Sequence, residues 1–482
     1  MAFFKPPAGA LVKNDEIAAY SAAGVGQNIC YALVTGYLMY FYINVFHIDP
    51  RAVGLMLFIE GIWDIVNNPL CGMLIDRTRT KRGKMIPYLR GGTAPLAVFT
   101  VLLFAGPYIL TDPSPTSPAK IAYMFLTYLI WELFYSITDV AYWGLSAAIS
   151  PLESDRRRVM TAVNAAVSVG AALPAFTVPL LLDYSAAHSE KISASALFLL
   201  LGLAAGVGGI GLFSLSGFCV KERVAQSQEG AHFLESLREL SRNRGLRIVV
   251  LSGLIRSLAG VSGVFMTYYF IDVLGFAGFS VLAQIPSVLT WALSYALLPA
   301  IRRRFSARTI ALGSNLLYGS IWLVTFLIGL KYYSRAAVMI PVLMVGTGVM
   351  GLINAPSEIV LNEMLADASD YTEWKTGKRS EGISFSLRIT TVKIGGTVVQ
   401  AAASGLLWAI GYVTSPDSAR VPQSDAVQFR IFLILALVPA IMYILSAVPY
   451  FFYDLTGEKR QRMRDELEAR RKSAEQSGSD IL

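Results

Sequence analysis

Residues 54–84 of the chain read GLMLFIEGIWDIVNNPLCGMLIDRTRTKRGK. In this stretch an apolar segment carries Asp64 near its middle and ends in a dense basic run at residues 76–84. A carboxylate at the centre of a membrane helix costs about 2.5–3.5 kcal/mol on insertion scales, so a chain seldom keeps one unless it handles an ion or a polar solute. The stretch therefore predicts a membrane helix with a buried acid, followed by a short aqueous loop.

The composition of the whole chain also indicates a membrane protein. Apolar residues make up 54% of the 482 residues and charged residues only 15%, whereas soluble proteins average about 25% charged. Separate apolar segments, each long enough to cross a hydrocarbon core of about 30 Å, favour helices over a β-barrel. There are twelve of them, near residues 17–46, 51–75, 87–110, 119–149, 159–183, 192–219, 246–272, 278–300, 309–330, 336–366, 380–412 and 427–453. We therefore expect an all-α integral membrane protein.

The positions of the basic residues predict the orientation of the chain. Most of the 41 lysines and arginines lie in the terminal segments and in the loops at residues 77–90, 156–158, 221–247, 302–308 and 375–379. By the positive-inside rule these regions are cytoplasmic. We expect a multi-pass protein of the cell (inner or plasma) membrane with both termini inside, no cleaved signal peptide, and contact with membrane lipid. The net charge of +8 is then a topology signal, and no nucleic acid is expected as a partner.

The chain is expected to form two paired halves. We predict an N-terminal six-helix half at residues 1–220, a cytoplasmic middle loop at 221–245, a C-terminal six-helix half at 246–456 and a cytoplasmic tail at 457–482. In the loop, Phe233, Leu237 and Leu240 share a face of an amphipathic stretch at 232–243. The tail is expected to be solvated or to lie on the membrane. Paired halves of this kind are typical of major facilitator transporters.

Enzyme chemistry is not expected. The chain has only three cysteines and three histidines, and its sequence contains no metal-ligand spacing, phosphate-binding glycine loop or nucleophile elbow. We expect no catalytic residue, no metal site and no cofactor.

Polar and charged residues inside the apolar segments must avoid lipid. The charged ones are Glu60, Asp64, Glu132, Asp139, Arg256, Glu358, Glu363, Arg388 and Lys393. At about 3 kcal/mol each, they are expected to face one another or a wet cavity. Glu363 lies near an inner helix end and is expected to be solvated, whereas Arg388 either reaches the cytosol or turns inward.

Helical spacing predicts which of these residues can meet. Polar faces with a repeat of three to four residues occur on four segments. They are Asn28, Tyr31 and Thr35; Glu60, Asp64, Asn67 and Asn68; Glu132, Ser136, Asp139 and Trp143; and Ser386, Thr390, Lys393 and Thr397. These faces predict a water-filled central cavity. In the alternative, Asp64 and Asp139 are structural partners of Lys393.

Several motifs carry a family resemblance. They are WDIVNNP at residues 63–69, DRTRTKRGK at 76–84, YLMYFY at 37–42, YSITDVAYW at 135–143, and DYTEWKTGKRSEG at 370–382 followed by Lys393. Together they resemble the glycoside–pentoside–hexuronide:cation symporters over most of the chain. The resemblance implies the twelve-helix major facilitator architecture and transport of a sugar or sugar acid with Na⁺ or H⁺. It also implies that Asp64 and Asp139 are cation-site carboxylates, with Asn67 and Ser136 as neighbouring oxygens.

Departures from the family pattern leave the substrate and the ion open. Asn68 stands where the family commonly has a second acid, and Asn28 stands where the best-known member has an acid that recognises sugar. Glu132 has a counterpart in related lysolipid carriers. A carrier of lysolipid or another amphiphile is therefore an alternative within the same fold, and a membrane channel or receptor is the alternative of another class.

We thus expect a secondary active transporter, monomeric, that moves a small-molecule glycoside or sugar acid by alternating access. The expected cation-binding residues are Asp64, Asp139, Asn67, Asn68, Ser136 and Glu60. The expected substrate-binding residues are Asn28, Tyr31, Glu132, Asp139, Trp143, Arg256, Glu358, Arg388 and Lys393.

Overall fold

The computed structural model describes residues 9–224, 243–377, 381–415 and 420–476. Nearly all of the amphipathic stretch expected at residues 232–243 lies outside the described residues. The described part is built from α-helices joined by short connections.

The helices up to residue 224 are α1 (Asn14–Tyr40), α2 (Pro50–Arg77), α3 (Ile86–Gly91), α4 (Thr93–Ile109), α5 (Pro118–Ala148), α6 (Glu153–Ala187), α7 (Ala194–Leu203) and α8 (Ile210–Cys219). Those that follow are α9 (Arg244–Leu258), α10 (Val261–Tyr268), α11 (Phe279–Arg304), α12 (Ala307–Tyr332), α13 (Ala336–Thr376), α14 (Glu381–Ala409), α15 (Asp425–Ala447) and α16 (Gly457–Gln476). Short π-helical turns at Phe41–Val45, Ala204–Gly209 and Tyr269–Val273 extend or join their neighbours.

Each predicted apolar segment coincides with one helix or with consecutive helices. Eight helical stretches among the described residues are long and apolar enough to cross a membrane. Helix α2 is not one of them, because its acids and asparagines lower its hydropathy. The all-helical prediction agrees with the structure, and the count of twelve membrane spans stays a prediction.

Several helices begin at side chains that accept a hydrogen bond from the first turn. Such N-caps satisfy backbone N–H groups that have no partner within the helix. Asp49 accepts from Arg51 N before α2, where Pro50 is the first helical residue. The other side-chain caps are Ser193, Asn243, Ser306 and Ser424.

One compact unit, the first unit, comprises Met1–Gln228, Phe276–Val281 and Ser404–Gln423. Its centre is α1, which is packed so closely that only glycine fits at the crossing points. A Cβ at Gly26 would lie 2.0 Å from the carbonyl oxygen of Gly209. On the other side of α1, Tyr20 and Tyr142 each donate a hydroxyl hydrogen bond to the other's carbonyl, which joins α1 to α5.

The second unit comprises Glu229–Gly275, Leu282–Ala403 and Ser424–Leu482. A close approach of α12 and α15 again depends on glycine, since a Cβ at Gly329 would lie 2.0 Å from the Phe432 ring. At the cytoplasmic end predicted from the sequence, the Asn243 amide donates to the carbonyl of Ala368 and the hydroxyl of Thr372. These contacts fix the start of α9 on α13.

The tail helix α16 lies against α13 and is held there by ion pairs. Arg460 donates to Glu363 at 2.5 Å, and Arg464 donates to Asp367 at 3.0 Å. Glu363 also accepts from Arg302 on α11 at 2.7 Å. The expectation that Glu363 is simply solvated is therefore wrong, because two arginines from other helices reach its carboxylate.

The crossing at Gly26 yields a stability prediction with a control on the same helix. Gly26→Ala is expected to lower the stability of the purified protein by about 1–3 kcal/mol, since the added methyl group overpacks the crossing. At Gly36 a Cβ would meet nothing within 4 Å. Gly36→Ala is therefore expected to leave the melting temperature unchanged or to raise it, because alanine is the better helix former. Equal melting temperatures of the two variants would contradict the conclusion that the crossing at Gly26 has no space for a side chain.

Candidate functional site

The polar residues predicted on one face of α2 form hydrogen bonds along that helix, and both asparagines take part in them. The Asn68 amide donates to the Asp64 carboxylate and, at 3.0 Å, to the Asp64 carbonyl. Asn67 is buried, and its Oδ1 accepts from the Cys71 thiol at 3.4 Å. Asp64 and Asn68 are therefore joined by hydrogen bonds, and Asn67 is bonded separately to Cys71, one turn further along the helix.

A second polar surface lies on α5. Glu132 is only 6% exposed and accepts from the Ser136 hydroxyl at 2.7 Å. One turn further on, the Asp139 carboxylate accepts from the Gln27 amide of α1. Gln27 was missed in the sequence analysis. Its position, four residues before Tyr31, was the available signal.

Tyr31 marks where these surfaces converge. Its ring is 45% exposed and stacks on Tyr135 with centroids 5.4 Å apart, and Tyr135 stacks in turn on Trp131. The Tyr31 hydroxyl lies within electrostatic range of the carboxylates of Asp139, Glu132, Asp64 and Glu60. The four acids, which the sequence places on two separate helices, thus belong to one unit and act electrostatically on one side chain.

Two buried atoms in this region have no hydrogen-bond partner among the described residues. They are the Gln27 Oε1 and the Asn67 Nδ2. A buried polar atom without a partner costs about 1–3 kcal/mol, and such an atom at a functional site is often satisfied when a ligand binds. The Gln27 oxygen belongs to the amide that contacts Asp139, and oxygen atoms are the ligands that hard cations prefer.

Two other predicted substrate residues of this unit, Asn28 and Trp143, contact neighbours on their own helices. The Asn28 amide donates back to the Gly24 carbonyl of its own helix at 3.1 Å. Trp143 is half-buried and meets the Tyr142 ring edge-on at 5.4 Å. The role of each in binding stays a prediction.

The second unit contains a separate charged cluster in which two arginines share Glu358. Arg388 donates to Glu358 Oε2 at 2.7 Å, and the Arg256 guanidinium lies 3.6 Å from Oε1. Two guanidinium charges against one carboxylate leave this trio with a net charge of +1. The alternative that Arg388 reaches the cytosol is not what the structure shows, since its guanidinium is turned to Glu358.

Neutral groups fix both guanidiniums of this trio. Arg256 donates to the Ser357 hydroxyl at 3.0 Å and lies over the Tyr318 ring, and Arg388 donates to Asn362. The sequence analysis missed Ser357 and Asn362, which sit beside or one turn from Glu358 on α13. Lys393 is half-buried on α14, the helix that also carries Arg388.

Comparison with known proteins places the chain among sugar carriers. The family described as MFS/sugar transport protein matches residues 19–457. The glucuronide carrier protein homolog of Escherichia coli K12 is 28% identical over 469 residues, which cover 96% of this chain and 98% of that protein. The inner membrane symporter YicJ of the same organism is 26% identical over 453 residues, which cover 93% of each chain.

A solved structure shows the same fold. The nucleoside transporter NupG superposes with a TM-score of 0.59 at 13% identity, covering 91% of this chain and 98% of that one. This likeness confirms the expected major facilitator fold for an all-helical membrane protein. At this level of identity it carries no information on the substrate.

Proposed function

The chain belongs to the MFS/sugar transport protein family, a family of transporters and not of enzymes, and on that premise we propose that it is a cation-coupled symporter of an acidic glycoside or sugar acid. Transport proceeds by alternating access, in which binding energy shifts the protein between states and no covalent bond changes. The relatives named as symporters, one of them as a glycoside/cation symporter, support coupled transport, which argues against a channel or a receptor.

The observation that carries the proposal is that four carboxylates of the first unit act electrostatically on one side chain, that of Tyr31. Like charges close together in a low-dielectric region repel, and a bound cation or proton relieves that repulsion. We assign this role to Asp64 and Asp139, with Asn67, Asn68, Ser136 and Glu60 as neighbours. To these predicted residues the structure adds Gln27, whose Oε1 is a further oxygen beside Asp139.

The aromatic stack of the same unit supports the binding of a sugar there. Tyr31 is an exposed residue whose ring stacks on Tyr135, and Tyr135 stacks in turn on Trp131. A rigid, exposed aromatic face with carboxylates beside it can bind both the apolar face and the hydroxyl groups of a sugar ring. Glu132 and Asp139 are the acceptors that we assign to those hydroxyl groups.

The arginine pair of the second unit supports a carboxylate on the substrate. A guanidinium matches a carboxylate geometrically, because both groups are planar and form paired hydrogen bonds. Arg256 and Arg388 already hold the carboxylate of Glu358, and the trio retains a positive charge. The relative named as a glucuronide carrier homolog fits this chemistry. Lys393 is the third base that we assign to an acidic substrate.

Two further features of the transporter belong to the proposal. We place both termini in the cytoplasm of a cell whose inner or plasma membrane holds the protein, because the basic loops lie on that side. We also favour protons over Na⁺ as the coupling ion, since Asn68 offers only a neutral oxygen where a second acid would help to hold a metal cation.

Replacing Asp64 tests the coupling. Asp64→Asn removes the charge that a cation neutralises, so uphill accumulation of glycoside in membrane vesicles should fall to the level of vesicles without the protein. Exchange of labelled for unlabelled glycoside should persist, since substrate binding remains. Glu190→Gln, at an exposed glutamate far along the chain, serves as the control and should accumulate normally. Normal accumulation by Asp64→Asn would contradict the assignment.

The identity of the ion is tested with imposed gradients in proteoliposomes. We expect an inward proton gradient to drive uptake and a sodium gradient at constant pH to leave it near the equilibrium level. Uptake that responds to sodium and ignores the pH gradient would show that the site binds Na⁺ despite Asn68.

The charge of the substrate is tested by comparing a neutral glycoside with its matching uronide. Arg388→Gln should weaken uronide binding about tenfold, the size of effect that the loss of one charge-assisted hydrogen bond produces, and Lys393→Gln should act in the same direction. Glu358→Gln should strengthen uronide binding, because it removes the internal carboxylate that competes for the guanidiniums. Binding of the neutral glycoside should change little. A preference for the neutral sugar that none of these variants alters would rule out the acidic substrate.

A further inference from the structure

Asp183 lies near the end of α6 in the first unit, and it accepts hydrogen bonds from two distant parts of the chain. The backbone N–H groups of Ala277 and Gly278 donate to its two carboxylate oxygens at 2.9 and 2.6 Å. The guanidinium of Arg420 donates to Oδ1 at 2.7 Å. All four residues belong to the first unit.

The three hydrogen bonds to Asp183 are strong because a buried, ionised carboxylate accepts them. The Asp183 side chain is only 7% exposed, so its charge depends on these donors and not on water. Hydrogen bonds that involve an ionised group are about twice as strong as neutral ones. Ala277 and Gly278 immediately precede α11, and the amide groups at the start of a helix have no partner within it. Asp183 therefore supplies an acceptor that the start of α11 needs.

Other contacts in the first unit join different pairs of segments through neutral groups. The Ser404 hydroxyl at the end of α14 donates to the Pro50 carbonyl at the start of α2, at 2.5 Å. The Tyr412 hydroxyl donates to Asn44 at 2.9 Å. The end of the first unit where these contacts lie is opposite the basic loops, and we call it the outer end. Asp183 provides the ionised contact among these hydrogen bonds.

We propose that Asp183 is a positioning residue of the transport cycle that keeps the outer end closed. By holding residues 277–278 and Arg420 against α6, it fixes the segments that precede α11 and α15. Opening the outer end requires these three hydrogen bonds to break. Water that then enters solvates the freed carboxylate and guanidinium, so the closed and open states can interconvert. The proposal rests on the alternating access and the orientation proposed above.

The test measures access from outside with a cysteine reporter. Thr35 is exposed on the polar face of α1, and only its hydroxyl bond to the Tyr31 carbonyl is lost on replacement. Thr35→Cys is made together with Cys219→Ser, since Cys219 is the exposed native cysteine. Right-side-out vesicles are treated with a membrane-impermeant maleimide, and the labelling of protein without the Thr35 replacement is subtracted.

Asp183→Asn is expected to raise the labelling rate about tenfold, because asparagine keeps the shape but loses the charge and the capacity to accept all three bonds. Arg420→Gln should raise it less, since both backbone bonds remain. In the Asp183→Asn background, Arg420→Gln should add nothing, because its partner is already neutral. The control is Asp112→Asn, an exposed outer-end acid whose hydrogen-bond partners Ser114 and Ser117 are both close to it in sequence, and it should leave the rate unchanged.

Labelling of Asp183→Asn at the wild-type rate, in protein of normal yield and dispersity, would overturn the proposal. If Asp183→Asn does not fold, the test rests on Arg420→Gln, and labelling of that variant at the wild-type rate would overturn the proposal. An effect of Arg420→Gln that persists in the Asp183→Asn background would equally reject it. The labelling rate is independent of sugar uptake, so a wild type that labels as expected but moves no glycoside refutes the proposed substrate and leaves this assignment standing.

Discussion

A charged group within a membrane protein needs a partner of opposite charge, a set of donors or water, because the hydrocarbon around it provides none of them. The rest of the structure follows from that requirement. Glu358 is shared by two arginines, Asp139 accepts from the Gln27 amide, and Asp183 accepts from two backbone amides and Arg420. In each case a carboxylate joins segments that are distant in the sequence.

The two clusters of the proposed transporter differ in sign, and the difference suggests a division of labour. The first unit gathers carboxylates around an exposed aromatic ring, which suits a cation and a sugar. The second unit gathers guanidiniums around one carboxylate, which suits an anionic group. A coupled carrier gains from this separation, because the binding of an ion and of a substrate of opposite charge each lowers a local repulsion.

The fold also requires that helices approach one another closely, which glycine allows because it has no side chain. Without a hydrophobic drive between helices in lipid, association depends on van der Waals packing, which small residues allow. At Gly26 the backbone of α1 approaches the backbone of Gly209, and at Gly329 the Phe432 ring packs directly on α12. Hydrogen bonds such as the Tyr20–Tyr142 exchange join α1 to a further helix, α5. Polar partners are then held at fixed distances in both units.

The helical membrane fold and the residues of the polar faces could be predicted from the sequence, because hydropathy and helical spacing are local properties of the chain. The family resemblance came from the sequence motifs. Tertiary structure decided the pairings: Arg388 turns to Glu358, Glu363 is held by Arg302 and Arg460, and Gln27 joins Asp139. These partners are far apart in sequence, and periodicity fixes the face of a helix but not which helix lies opposite. Which helix lies opposite depends on packing and on the need to neutralise buried charge.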